Sequence, residues 1–115
     1  MKKTRMLKKN YEFSNVLSKG KYYSGKMIEA FVLESINNYN YLGLAISKKA
    51  GHAYQRNRVR RLIKECYRLH ELEIIKNISV IFLWKKNVDI KTADFYQIEK
   101  DMLEILEKAK VVGVK

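Results

Sequence analysis

The sequence predicts an α+β fold, a two-layer sandwich in which helices pack on a mainly antiparallel sheet. Three observations lead there. Two strand-like stretches, 26–34 and 41–47, flank an asparagine-rich turn. A nearly unbroken apolar run spans Ile78 to Trp84. Two further segments, 54–69 and 92–110, repeat apolar residues at helical spacing. The 115 residues fit a single domain over 1–115 with a modest core. With no proline and five glycines, the chain shows no linker, repeat or low-complexity segment.

The elements follow in order. Tyr11 to Lys19 reads as a helix, with Asn10 as N-cap and Gly20 as its stop. Phe13, Val16 and Leu17 share one face of it. Tyr22-Tyr23-Ser24 forms a short strand or an extended lead-in. In the strand Lys26 to Glu34, Ile28, Ala30 and Val32 point one way, and Met27, Glu29, Phe31 and Leu33 the other. Asn37-Asn38-Tyr39-Asn40 turns the chain into a strand over Tyr41 to Ser47. The two strands are expected to pair as an antiparallel hairpin. Lys48 to Ala53 is a loop containing Gly51. The helix from about Tyr54 to Leu69 carries the stripe Val59, Leu62, Ile63 and Cys66. Ile78 to Trp84 is a strand buried on both faces, and Lys85 to Lys91 a polar connection. The last helix, Thr92 to Lys110, docks through Phe95, Ile98, Met102, Ile105 and Ala109. Its outer faces mix charges, as at Lys100 and Glu104, and it reads as structural. The ends, Lys2 to Arg5 and Val111 to Lys115, are expected to fray. The resulting order is α-β-β-α-β-α.

Charge narrows the function. There are 24 Lys and Arg against 12 Asp and Glu, a net +12. Residues 1–68 hold 16 basic and 4 acidic side chains, residues 69–115 hold 8 of each, so the whole excess lies in the first part. Such asymmetry points to a polyanionic partner, nucleic acid before an acidic membrane. It also opposes compaction, so bound anions should stabilise the fold. No apolar segment is long enough to span a bilayer, and no apolar stretch follows the basic N-terminus as a secretory signal would require. A single cysteine, Cys66, suits a reduced, cytoplasmic protein.

The segment from Gln55 to Arg68 concentrates the signal. Arg56, Arg60 and Lys64 stack at steps of four; Asn57, Arg61, Lys64 and Arg68 make a neighbouring row. Glu65 alone is acidic, so the surface forgoes the usual mixture of signs, and phosphates would relieve the repulsion. Basic residues crowd the N-terminal turn, where the helix dipole disfavours cations and favours a bound phosphate. Lys48 and Lys49 enlarge the patch, and arginine forks grip phosphate bidentately. His52 lies in the basic loop, within reach of phosphate.

Protein-based chemistry finds no footing. His52 and His70 have no partner at metal-ligand spacing, and Cys66 falls on the apolar stripe as an inert thiol. His70 reads as a C-terminal helix residue. Glu99 and Asp101, two residues apart on the last helix, point apart. No phosphate-binding glycine loop or nucleophile elbow occurs. No catalytic residue and no metal ligand is therefore assigned to the chain.

The run Gly43-Leu44-Ala45-Ile46-Ser47-Lys48-Lys49-Ala50-Gly51-His52-Ala53, followed by Arg56-Asn57-Arg58-Val59-Arg60-Arg61-Leu62-Ile63-Lys64-Glu65, resembles the signature of the bacterial ribonuclease P protein family. Leu7-Lys8-Lys9-Asn10, Phe13 and Gly20 resemble it too. The resemblance is clear over about residues 5–70 and rests on pattern beyond. It implies the order α-β-β-(β)-α-β-α, with a left-handed β-α-β crossover through the basic helix, where the general rule would favour a right-handed one. It implies a protein subunit that binds the catalytic RNA and the 5′ leader of precursor tRNA, while the RNA, with Mg²⁺ held mainly by RNA, performs the cleavage. Lys48, Lys49, Arg56, Asn57, Arg58, Arg60, Arg61, Lys64 and Arg68 would contact the RNA. Phe13, Leu17 and Phe31 would line the leader cleft between the first helix and the sheet. Position 17 is often aromatic in the family and is Leu here. Tyr22, Tyr23 and Tyr54 are weaker aromatic candidates, and core packing remains the competing role for Phe13 and Phe31. No membrane and no obligate protein partner is expected. The alternative is a DNA-binding module laying the 54–69 helix in a major groove, with Gln55 and Asn57 as its only neutral base readers.

Overall fold

The computed structural model describes residues 3–35 and 38–113. Five strands and three helices follow the chain: β1 (Thr4–Met6), α1 (Asn10–Lys19), β2 (Lys21–Ser24), β3 (Ile28–Glu34), β4 (Asn40–Ala45), α2 (Ala53–His70), β5 (Ile78–Trp84) and α3 (Phe95–Lys108). Single 3₁₀ turns cover Lys48–Ala50, Glu71–Glu73 and Ile90–Thr92. The α+β class holds.

The strands form one sheet in the order β1-β4-β5-β3-β2. β2 and β5 pair antiparallel with β3, whereas β1 and β5 pair parallel with β4, so the sheet is mixed. The expected hairpin between 26–34 and 41–47 is not made, because β5 lies between its two arms. The reason is burial. Ile78, Val80, Ile81, Phe82 and Trp84 are all buried, so β5 needs cover on both faces and partners on both edges. The turn residue Asn40 serves that arrangement, its buried Oδ1 accepting from Ile78 N–H at 2.9 Å. Asn37, of the same turn, lies outside the described residues.

Helices cover both faces, unequally. Ile28, Ala30, Val32, Leu42, Val80 and Phe82 meet α2 and α3 in the main core, as the alternation of β3 requires. On the other face α1 alone packs against β3 and β5, burying Val16 over Ile81. The expected two layers are thus joined by a single helix on the second face, and that face stays partly open.

The described parts of both ends are anchored rather than frayed. Thr4 opens β1 beside β4, and its hydroxyl shares a 2.9 Å hydrogen bond with the buried Tyr67 phenol. Val111 is buried, and Val112 bridges to Ile74. Lys2, Val114 and Lys115 lie outside the described residues. Helix α1 starts one residue earlier than expected, with Lys9 as N-cap and Glu12 accepting from the backbone N–H of Lys9 (2.8 Å) and Lys8 (3.1 Å). Those two bonds hold the Glu12 carboxyl below its ordinary pKa. At the other end Gly20 N–H caps Val16 O at 2.7 Å, as expected.

Two residues of the second half do more than pattern suggested. Asp101 is buried and accepts from Met27 N–H (2.7 Å), Ile28 N–H (3.2 Å) and Gln97 Nε2 (2.8 Å), tying α3 to the start of β3. His70 sits between Glu73 and Glu99, 2.8 Å from the latter, and joins α2 to α3. Burial works to lower the pKa of His70, but the Glu99 and Glu73 carboxylates outweigh it and raise the value above 6.5.

Asp101→Ala should lower the unfolding free energy by about 2–4 kcal/mol in urea titration, because two buried backbone N–H groups lose their acceptor. The protonated His70 bridge contributes stability that is complete below the unfolded pKa and lost as pH rises through the raised folded one. His70→Gln should therefore depress the melting temperature more at about pH 6 than at about pH 9.

Candidate nucleic-acid interface

Helix α2 docks through Val59, Ile63, Cys66 and Tyr67, all fully buried. Leu62, expected in that stripe, is only partly buried, and Tyr67 joins it instead. This fixes the direction of the basic residues. Asn57, Arg60, Arg61, Lys64 and Arg68, at steps of three and four, share one sector pointing away from the core, with Arg56 and Arg58 on its two flanks. No acidic residue occupies the first turn. The N-cap is His52, with Gln55 Oε1 accepting from its backbone N–H at 2.8 Å. Gly51 is required for that close fit, since a Cβ there would meet Gln55 Oε1 at 2.5 Å and Ile90 Cγ2 at 2.8 Å.

The cations differ in freedom. Among the described residues Lys48, Lys49, Arg61 and Lys64 have no side-chain hydrogen bond or ion pair. Arg60 Nη1 donates to Asn57 Oδ1 at 2.9 Å, which spends no carboxylate on it. Arg68 grips Glu65 with two bonds, of 2.6 and 3.1 Å, and this pairing lowers the pKa of Glu65. Arg58 turns to the opposite flank and donates to Ala93 O at 3.0 Å. Arg56 is half-buried, its Nε shielded from solvent and without a partner among the described residues. The free charge is therefore centred on Arg60, Arg61 and Lys64.

That sector borders an apolar hollow. Asn57, Arg60, Arg61 and Lys64 share a pocket of about 520 Å³ with Phe13, Met6, Leu7 and Leu44. Phe13 is half-buried and stands over Gly43, where a Cβ would come within 2.8 Å of its ring. From there the partly open face of the sheet continues, and strand register orders its residues. Gly43, Ile81, Phe31 and Tyr22 form one row; Ala45, Leu83, Glu29 and Ser24 form the next. Phe31 and Tyr22 meet with ring centroids 5.3 Å apart. Leu17 is 39% exposed on α1 beside this face. Phe13, Leu17 and Phe31 thus fall on one side of the sheet, and Tyr22 joins them. Tyr23 does not, since it packs against the main core on the opposite face. Tyr54 lies in the first turn of α2, 70% exposed, with its ring stacked on His52.

Sequence reading missed two features. Arg5 lies over the exposed Tyr39 ring at 3.9 Å, and with Lys8, Lys9 and Tyr41 it lines a further hollow beside α1. Only the pairing of β1 with β4 brings them together. The second feature is the hydrogen bond from the Tyr22 hydroxyl to Glu29. Burial, then the charges of Glu99 and Glu65, push the Cys66 thiol up to about 12. Among the described residues no three His, Cys, Asp or Glu side chains converge as a metal site.

The Ribonuclease P family model matches residues 1–110. The chain belongs to the ribonuclease P protein family. It is 35% identical over 106 residues to the ribonuclease P protein component of Natranaerobius thermophilus, covering 92% of this chain and 90% of that one. It is 36% identical over 110 residues to that of Clostridioides difficile, covering 95% of each. The Staphylococcus aureus RNase P protein structure superposes with a TM-score of 0.81 at 26% identity, covering 94% of this chain and 97% of that one. As a ribonuclease P protein the chain is a component of a ribonuclease complex of tRNA processing.

Gly43→Ala should displace the Phe13 ring and destabilise the fold by about 1–3 kcal/mol in chemical denaturation, because the new methyl group overpacks the floor of the pocket.

Proposed function

We propose that this chain is the protein subunit of ribonuclease P, holding the catalytic RNA on the outer sector of α2 and the 5′ leader of precursor tRNA in the groove beside α1. One observation carries the reading: Phe13, at the margin of the open sheet face, lines one pocket with Arg60, Arg61 and Lys64 of α2. A single strand of RNA needs both features side by side. Cations track its phosphates, and ring faces stack its bases at about 1–3 kcal/mol each. Arg61 and Lys64, without acidic partners among the described residues, exchange only water and counterions for phosphate on binding, so association should be strongly salt-dependent. Lys48, Lys49, Arg56, Asn57 and Arg58 complete the RNA contact around the start of α2, and Arg68 joins by exchanging Glu65 for phosphate.

In this reading the RNA performs the cleavage and holds the Mg²⁺. The chain routes no step through a metal of its own. It positions the leader, and its cations screen repulsion between the two RNAs. In this reading the work is cytoplasmic, where tRNA is processed. Among the described residues no helix is long and apolar enough to cross a membrane.

The DNA-binding alternative is not favoured. Gln55 is engaged in capping α2 and Asn57 accepts from Arg60, so the two neutral base readers are occupied. What precedes α2 is a strand and a 3₁₀ turn, not a partner helix. Competition between duplex DNA and structured RNA at fixed salt should favour RNA.

Arg60→Ala and Lys64→Ala should each weaken binding of the catalytic RNA and reduce the magnitude of its salt slope by about 1. Unchanged affinity for both at every salt concentration would refute the assignment. Glu65→Gln should do the reverse, strengthening binding by releasing Arg68. Reconstitution with the catalytic RNA should enhance leader removal at low Mg²⁺, and the protein without RNA should cut nothing.

A further inference from the structure

Helix α2 carries two tyrosines with opposite surroundings. Tyr67 is fully buried in the core, whereas Tyr54, in the first turn, leaves 70% of its surface to solvent. Tyr54 is also in register with the charge. Tyr54, Asn57, Arg61, Lys64 and Arg68 follow one another at steps of three and four, so they line up along one side of the helix. The aromatic ring thus ends the basic row, and Lys48 and Lys49 stand in the 3₁₀ turn just before it. The ring is held in place. It lies parallel to the His52 ring, with planes within 6° and centroids 5.8 Å apart, an offset stack. His52 is in turn the N-cap of α2, its backbone N–H donating to Gln55 Oε1 at 2.8 Å. On its other face Tyr54 has no ring contact, and its hydroxyl has no hydrogen bond, among the described residues. A single exposed aromatic is ordinary. One that is stacked from behind, open in front and flanked by cations has the make-up of a base platform.

We infer that His52 and Tyr54 form a stacking platform for one unpaired base of the catalytic RNA, which lies on the open face of Tyr54 while its flanking phosphates reach the cations of α2 and of the preceding turn. The inference rests on the catalytic RNA lying along α2. The chemistry of the ligand follows from the platform. Bases within a duplex have their faces covered by their neighbours, so the site takes a bulged, looped or terminal nucleotide. A ring face is read by any base, and a purine offers the larger one. The site is separate from the pocket at Phe13, which Asn57, Arg60, Arg61 and Lys64 line and Tyr54 does not. Stacking also carries no charge, so its share of the affinity is not screened by salt, unlike that of the cations beside it. Tyr54 touches the RNA in this scheme, and His52 is a positioning residue.

The test is binding of the ribonuclease P catalytic RNA to the full chain, titrated from low to high salt. Tyr54→Ala should weaken binding about tenfold, the loss expected for one base stack, and leave the salt slope unchanged. Tyr54→Phe and Tyr54→Trp keep a ring and should bind like the wild type. His52→Ala should weaken binding about threefold, because the ring remains but is no longer held in place. Free Tyr54→Ala should unfold at the wild-type urea midpoint, which separates a lost contact from a lost fold. A loss of affinity matched by a fall in that midpoint, or shared by Tyr54→Phe, would overturn the stack. If Tyr54→Ala binds like the wild type while Arg61→Ala binds more weakly, the platform is wrong although the RNA surface of α2 stands. If neither variant weakens binding, that surface fails and this inference fails with it. In the reconstituted holoenzyme Tyr54→Ala should keep the wild-type difference in affinity between precursors with and without a leader. Loss of that difference would place the base in the substrate and refute its assignment to the catalytic RNA.

Discussion

The double burial of β5 is the constraint on which the architecture depends. A strand as apolar as Ile78 to Trp84 cannot lie at an edge or face water, so it occupies the centre, parallel to β4 and antiparallel to β3. Parallel neighbours cannot be joined by a tight turn, so the connection from β4 to β5 carries a crossover element. That element is α2. Its placement against the core is therefore set by the sheet, and its cationic side is turned outward as a consequence. The other face of β5 needs only Val16 and its neighbours on α1 to bury Ile81. The rest of that face remains partly open.

Electrostatics then divides the labour between the two halves of the chain. In the second half charges are balanced and used internally: Asp101 holds the start of β3, and Glu73 and Glu99 hold His70. In the first half most cations have no internal acid. A surface of unpaired like charges is a cost to the free protein, since neighbouring cations on a helix repel. In the proposed function polyanion binding would remove the cost, and the same residues that weaken the isolated fold would provide affinity in a complex.

Much of this was legible in the sequence because it is periodic. The stripes of α2 and α3 and the alternation of β3 each have one geometric solution, and the location of the net charge requires no structure to see. Strand pairing was not legible. Local pattern favours joining β3 to β4 across an asparagine-rich turn, and only the demand of a distant strand for two partners overrides it. The same holds within the interface. Periodicity separated the basic sector from the core, yet it could not show that Arg58 bends to Ala93 or that Arg68 is held by Glu65. The open sheet face depended on register: Phe13 meets Gly43, and Tyr22 meets Phe31 and Glu29, through pairings between residues far apart in the chain or across strands. Family resemblance anticipated Phe13, Leu17 and Phe31 on a common face, whereas Glu29 belongs to no motif.

The central claim is that one continuous surface, from the outer sector of α2 to the open sheet face, meets RNA. Site-directed photo-crosslinking in the reconstituted holoenzyme tests it directly. The only native cysteine, Cys66, is buried with its thiol pushed up to about 12, so an introduced cysteine carries the crosslinker selectively. Probes at Arg61→Cys and Tyr22→Cys should crosslink to the catalytic RNA and to the leader, respectively, while a probe at Glu104→Cys on the outer face of α3 should crosslink to neither. Equal crosslinking from Glu104→Cys, or none from Arg61→Cys, would contradict the account.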